Sequence, residues 1–183
     1  MIRTAVNGSE GTYAYTAAVQ MLGAGLSLVL TTGFGKACDE ILAGRADRAV
    51  LPLRNSIVGN IDPALKAIRS RGLSVEREHE LAIEHVLVGH PRIEVDRLRT
   101  VVSHPAALAQ CSSFLNRNPQ LRTVAVTDTA TAIRQVMNGG DPAWAAICSE
   151  SAAELYGASI LRRHIADADH NTTIFGLIAK RGK

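Results

Sequence analysis

The stretch Ile2-Arg3-Thr4-Ala5-Val6-Asn7-Gly8-Ser9-Glu10-Gly11-Thr12 decides how the rest of the chain is read. Residues 2–6 form a short β-type run. Two glycines among polar residues then make a turn, and Thr12 supplies an N-capping side chain for a following helix. Strand, glycine turn and helix open an α/β unit, and the same order returns along the chain. Strands are expected over residues 26–30, 48–53, 81–89, 100–103, 121–126, 144–147, 160–165 and 173–179. Helices are expected over 34–43, 63–70, 105–116, 129–138 and 149–156, with Pro63 and Pro105 in first turns and Gly44 and Gly72 just past the ends.

These strands are too many for one small sheet. The expectation is an α/β protein of two small lobes with mostly parallel sheets, crossing near residues 79 and 167. Residues 1–78 and 167–183 would then form lobe 1, and 79–166 lobe 2. Ligands of open α/β sheets sit beyond the carboxyl ends of strands. The polar loops after Val6, Leu53, Val102, Val126 and Ile147 fall there.

Composition narrows the class. At 46% hydrophobic and 20% charged, the chain is typical of a globular protein, and its 4% aromatic content leaves Ala, Val, Leu and Ile to fill the core. The net charge of +3 is mild and its arginines are scattered, so neither nucleic acid nor a membrane surface is implied. No window reaches the roughly 20 apolar residues of a membrane span, and residues 1–6 have no signal-peptide core. Cys38, Cys111 and Cys148 are far apart and lack metal-ligand spacing, which points to buried reduced thiols and a cytoplasmic protein.

Five polar clusters stand at strand ends. Gly8 to Thr12 reads either as an anion-binding turn at a helix N-terminus or as a tight turn plus cap. It lacks the spacing and lysine of a phosphate-binding P-loop. Arg54-Asn55-Ser56 and Ser103-His104-Pro105 read as solvated loops or as ligand contacts. Asp128-Thr129 is explained by helix capping, and Asn171-Thr172-Thr173 by a turn. His104 is of a residue type used as an acid or base, but it has no partner in the sequence. From the residues alone, the chain is an α/β protein with a cleft for a small anion.

Longer motifs carry a resemblance. Gly8-Ser9-Glu10-Gly11-Thr12-Tyr13, Gly44 through Pro52, and Asn55-Ser56-Ile57-Val58-Gly59 come first. Ser103-His104-Pro105-Ala106-Ala107-Leu108-Ala109-Gln110-Cys111, Thr129-Ala130-Thr131-Ala132, and Ala145 through Ser149 with Tyr156-Gly157 then follow in order. Together they resemble the catalytic domain of prephenate dehydratases over residues 2–178. That resemblance implies two lobes similar to type 2 periplasmic binding proteins, with the active site in the cleft between them. It also implies a cytoplasmic carbon–oxygen lyase, a homodimer, and conversion of prephenate to phenylpyruvate without metal or cofactor. Thr173 would donate to the leaving hydroxyl. Arg54, Asn55, Ser56, Gly11, Thr12, His104, Gln110, Thr129 and Phe175 would bind the dianion. The phenylalanine-sensing ACT domain of many members is expected to be absent.

Two positions depart from the family pattern. Ile174 stands where Thr-Arg-Phe has Arg, and Arg54 stands where Glu precedes Asn-Ser. An aliphatic side chain cannot grip a carboxylate as a guanidinium does. These departures keep two alternatives open: a prephenate decarboxylase with a non-aromatic product, and a non-catalytic prephenate-binding protein.

Overall fold

The computed structural model describes residues 2–91, 93–139 and 141–181. They form two compact units, one from residues up to Ser9, Tyr13–Ile83 and His170 onward, the other from Glu84–Asp169 with Glu10–Thr12. Each has its own sheet and core, so the expected α/β class with two sheets holds.

In the first unit the elements are β1 (Arg3–Asn7), α1 (Tyr13–Leu22), β2 (Ser27–Thr31), α2 (Phe34–Leu42), β3 (Arg48–Asn55), β4 (Gly59–Asn60), α3 (Asp62–Ser70), β5 (Leu73–Ala82) and, from the far end of the chain, β11 (Thr172–Lys180). The sheet order is β2-β1-β3-β11-β5, with β4 paired to β3. Strand alternation sends neighbouring residues to opposite cores. Ala5, Ala49, Leu51 and Ile178 pack under Ala37, Cys38 and Ile41 of α2 and Ala67 and Ile68 of α3. Val6, Val50, Phe175 and Leu177 pack under Ala14, Ala17, Ala18 and Met21 of α1. The many alanines let the helices settle close to the sheet, which is why so few aromatic residues suffice.

The second unit contains β6 (Val86–Gly89), a 3-10 turn at Val95–Arg97, β7 (Thr100–Ser103), α4 (Pro105–Gln110), α5 (Ser112–Asn116), β8 (Arg122–Ala125), α6 (Thr129–Gly139), β9 (Trp144–Cys148), α7 (Glu150–Tyr156) and β10 (Ser159–Arg162). Its sheet order is β10-β6-β9-β7-β8. Val88, Val102 and Ala146 face Ile133 and Val136 of α6 and Ala152 of α7. Leu87, Val101 and Ile147 face Ala107, Cys111 and Phe114.

Several expectations are corrected. Parallel pairing runs through β2-β1-β3 and β8-β7-β9. It gives way to antiparallel pairing where β11 enters between β3 and β5, and where β6 enters between β10 and β9. Both sheets are therefore mixed instead of mostly parallel. The run 81–89 is not one strand: its start ends β5 and its remainder is β6, in a different sheet. The helix expected over 105–116 breaks at Cys111 (φ −117°, ψ 23°). The crossings expected near 79 and 167 fall after Ile83 and after Asp169. They fall there because β5 and β11 stay paired to Ala82 and Thr172, and Ile83 N–H still donates to the Asn171 carbonyl at 2.8 Å.

Candidate functional site

The side chains gathered at the end of β3 and the start of β11 form one hydrogen-bonded cluster around Asn55. The two residues Asn55 and Thr173 are direct partners in the antiparallel ladder. Both are about 7% exposed, and Asn171 is 6% exposed. Buried polar groups of this kind must find partners, and Asn55 does so at both ends of its amide. Its Oδ1 accepts from the backbone N–H of Ile57 at 2.9 Å and of Val58 at 3.0 Å. Those two bonds identify the oxygen, so the nitrogen faces the other way. Nδ2 donates to Asn171 Oδ1 at 2.7 Å, to Thr173 Oγ1 at 2.9 Å and to the Thr172 carbonyl at 3.0 Å. Two amide hydrogens therefore serve three acceptors.

This arrangement sets the chemistry of Thr173. A hydroxyl has one hydrogen to give and lone pairs to receive. Thr173 receives from Asn55, which leaves its own hydrogen to donate, and accepting one bond strengthens a hydroxyl as donor to the next. Ser56 acts on the backbone instead. Its N–H donates to the Thr172 carbonyl and its Oγ accepts from Thr172 N–H, each at 2.9 Å. This pair of bonds clamps the β3–β4 turn to the start of β11.

Arg54 and Phe175 lie elsewhere. Arg54 is exposed and pairs with Ile174. The register skips Leu53 in a β-bulge, so Phe175 lies opposite Pro52. Phe175 and Leu177 point to the α1 core. A Cβ on Gly176 would meet Leu53 and Ile178 of the α2–α3 core. By alternation, Thr173 shares the α1 face, while Ile174 and its partner Arg54 share the other. Phe175, expected to touch substrate, is 3% exposed and packs in the α1 core.

The second unit brings its expected residues to the carboxyl ends of β7, β8 and β9. His104 is exposed and caps α4, its Nδ1 accepting from Ala106 N–H at 3.1 Å. Thr129 is buried at the start of α6, where the Asp128 carboxylate accepts from Thr131 N–H at 2.6 Å. Gln110 Oε1 lies 2.8 Å from Nε2 of the buried His85. An amide oxygen only accepts, so Nε2 carries the hydrogen. Burial pushes the His85 pKa down, against the upward pull of the Gln110 bond, so the ring is neutral.

Gly11 and Thr12 belong to this unit by contact. Tyr156 Oη donates to the Glu10 carbonyl at 2.7 Å, and Gly11 has φ +89°. A Cβ there would sit 3.0 Å from the Tyr156 ring and 3.4 Å from Ala152 Cβ. The helix α1 begins at Tyr13, directly after Thr12, where the sequence places its start.

Sequence reasoning passed over Asn171 and His85. The first sat in a turn-like triplet, and the second in an apolar run that gave no sign of a polar partner. The thiols are poor nucleophiles: burial pushes Cys111 and Cys148 up to about 12 and raises Cys38. Among the described residues no group of three or more His, Cys, Asp or Glu is placed to hold a metal ion. No helix of the described residues is long and apolar enough to cross a membrane.

Fold and cluster together define an α/β protein that offers uncharged amide and hydroxyl donors at its strand ends. The chain belongs to the prephenate dehydratase family, whose model matches residues 4–183. It is similar to the bifunctional chorismate mutase/prephenate dehydratase of Escherichia coli K12, at 32% identity over 98% of this chain and 47% of that protein. The chain thus spans about half the length of that curated relative. Among solved structures it resembles the prephenate dehydratase of Arthrobacter aurescens in complex with L-Phe, with a TM-score of 0.89, 28% identity, and coverage of 100% of this chain and 61% of that one. It also resembles GqqA, described as a novel type of quorum-quenching acylase, with a TM-score of 0.85, 31% identity, and coverage of 99% and 65%.

Proposed function

We propose that this chain is a lyase that converts prephenate to phenylpyruvate. One carbon–carbon bond breaks to release carbon dioxide, its electron pair completes the aromatic ring, and the ring hydroxyl departs with one added proton as water. The Asn55–Thr173 bond carries the proposal, because it turns the Thr173 hydroxyl into a donor for the departing oxygen. Asn55, Ser56, Gly11, Thr12, His104, Gln110 and Thr129 are proposed as substrate contacts. Donors aimed at developing charge inside a water-poor site are the main source of rate in such reactions. No metal or organic cofactor is invoked. A cytoplasmic homodimer is proposed from the family.

Acyl transfer, named for one solved relative, suits this cluster poorly. A threonine nucleophile needs a base to take its proton, and Asn55 instead gives a hydrogen to Thr173. The decarboxylase alternative rests on Arg54 and Ile174, and neither shares the sheet face of Thr173.

The test is incubation with prephenate, with products identified by NMR and mass spectrometry. Phenylpyruvate formation should fall by about 10²–10³ in the near-isosteric Thr173→Val variant, the scale of losing one such donor. A non-aromatic keto acid as the sole product would replace this reading with the decarboxylase. Unchanged turnover in Thr173→Val would remove Thr173 from the chemistry.

A further inference from the structure

We infer that Asn171 is a positioning residue that aims the Asn55 amide at Thr173, an inference that rests on the role proposed for Thr173. Asn55 Nδ2 carries two hydrogens and faces three acceptors: Asn171 Oδ1, Thr173 Oγ1 and the Thr172 carbonyl. Two hydrogens cannot be given in full to three acceptors, so the direction of the NH2 group decides how squarely Thr173 receives one. The shortest of the three bonds, at 2.7 Å, goes to Asn171. It claims one hydrogen and fixes the plane of the NH2 group. The other hydrogen is then held at the edge of the group where Thr173 Oγ1 and the Thr172 carbonyl lie, at 2.9 and 3.0 Å.

Asn171 is itself anchored. Its carbonyl accepts from Ile83 N–H at 2.8 Å, and it directly precedes β11. The other end of the Asn55 amide is tied to Ile57 and Val58 N–H. Three backbone segments thus hold one amide: the β3–β4 turn, the end of β5 through Ile83, and the start of β11. A hydroxyl donor that must meet a departing oxygen within a few tenths of an ångström needs this fixity. Without Asn171 the NH2 group loses the bond that sets its tilt, and its hydrogens redistribute between Thr173 Oγ1 and the Thr172 carbonyl.

The experiment compares the full-length protein with Asn171→Leu, which keeps the bulk and removes the oxygen, and Asn171→Asp, which keeps an acceptor in place. For Asn171→Leu, kcat with prephenate should fall about tenfold, the scale of one hydrogen bond, while KM stays within about twofold. Asn171→Asp should recover most of kcat. A merely structural role would not divide kcat from KM in this way, nor separate the two variants at matched stability. Exchange of the Asn55 side-chain amide protons, followed by NMR without substrate, should quicken by about tenfold in Asn171→Leu and not in Asn171→Asp. Wild-type kcat in Asn171→Leu, or unaltered Asn55 exchange, overturns the inference. An inactive wild-type protein overturns the dehydratase reading, and the exchange measurement still decides whether Asn171 orients Asn55.

Discussion

Ile174 and Arg54 stand directly opposite each other in the β11–β3 ladder, on the sheet face turned away from Thr173. The two positions singled out in the sequence are therefore one cross-strand pair. A Glu and an Arg at these positions would form an opposite-charge pair across the strands, whereas here a cation faces an aliphatic side chain. Glu80 is the partner of Ile174 on its other side, so Arg54, Ile174 and Glu80 form a row across three strands. The row belongs to the sheet surface and not to the Asn55 cluster.

Introducing a charge pair with Arg54→Glu and Ile174→Arg together is expected to raise stability by about 0.2–1 kcal/mol, the usual size of a cross-strand charge pair. The urea midpoint reads this directly. Turnover of prephenate should change by less than about threefold, since neither side chain shares the face of Thr173. A change in kcat beyond tenfold would mean that the row reaches the chemistry after all.

His85 ties stability to pH. Its folded-state pKa lies below the ordinary value because burial penalises the charged ring. The unfolded chain therefore binds more protons in the interval between the two pKa values, and stability rises with pH there. Stability should fall as pH drops below about 6.5, the unperturbed value for His, and level off once the folded-state pKa is passed. The His85→Gln variant should lose that slope in urea midpoints taken at closely spaced pH values. A slope equal to wild type would assign it to another group.

Gly11→Ala should destabilise the protein by about 1–2 kcal/mol, because an L side chain at positive φ is strained. The Tyr156 ring adds to this, lying 3.0 Å from the position of the new Cβ. In a Tyr156→Ala background the cost should shrink toward the backbone strain alone. Full additivity of the two changes would show that the ring exerts no pressure at Gly11.

Legibility from sequence followed the strength of the apolar pattern. The runs at β1, β3, β7 and β9 are visible because both faces of those strands are buried under helices, which leaves near-continuous hydrophobic residues. Nothing comparable marks β5. Its Glu76-Arg77-Glu78-His79-Glu80 stretch lies at a sheet edge among the described residues, where charge is tolerated and discourages pairing with other chains. The order of strands was also illegible, since no local pattern says that β11 will enter between β3 and β5. Asn55 and Thr173 were found through motif resemblance. Asn171 and His85 were not, because their partners lie far away in sequence and a polar residue gives no sign of what it will meet.

The place of β11 has a consequence for the chain as it leaves the ribosome. This strand lies inside the first sheet, yet it is translated after every residue of the second unit. The second sheet has all five of its strands while the first still lacks the one that joins β3 to β5. Until β11 arrives, those two strands present open edges that a chaperone must shield or a neighbouring nascent chain can capture. Thr173 and the acceptor of Asn171 come with that same last segment, so the donor cluster appears only as translation closes the sheet.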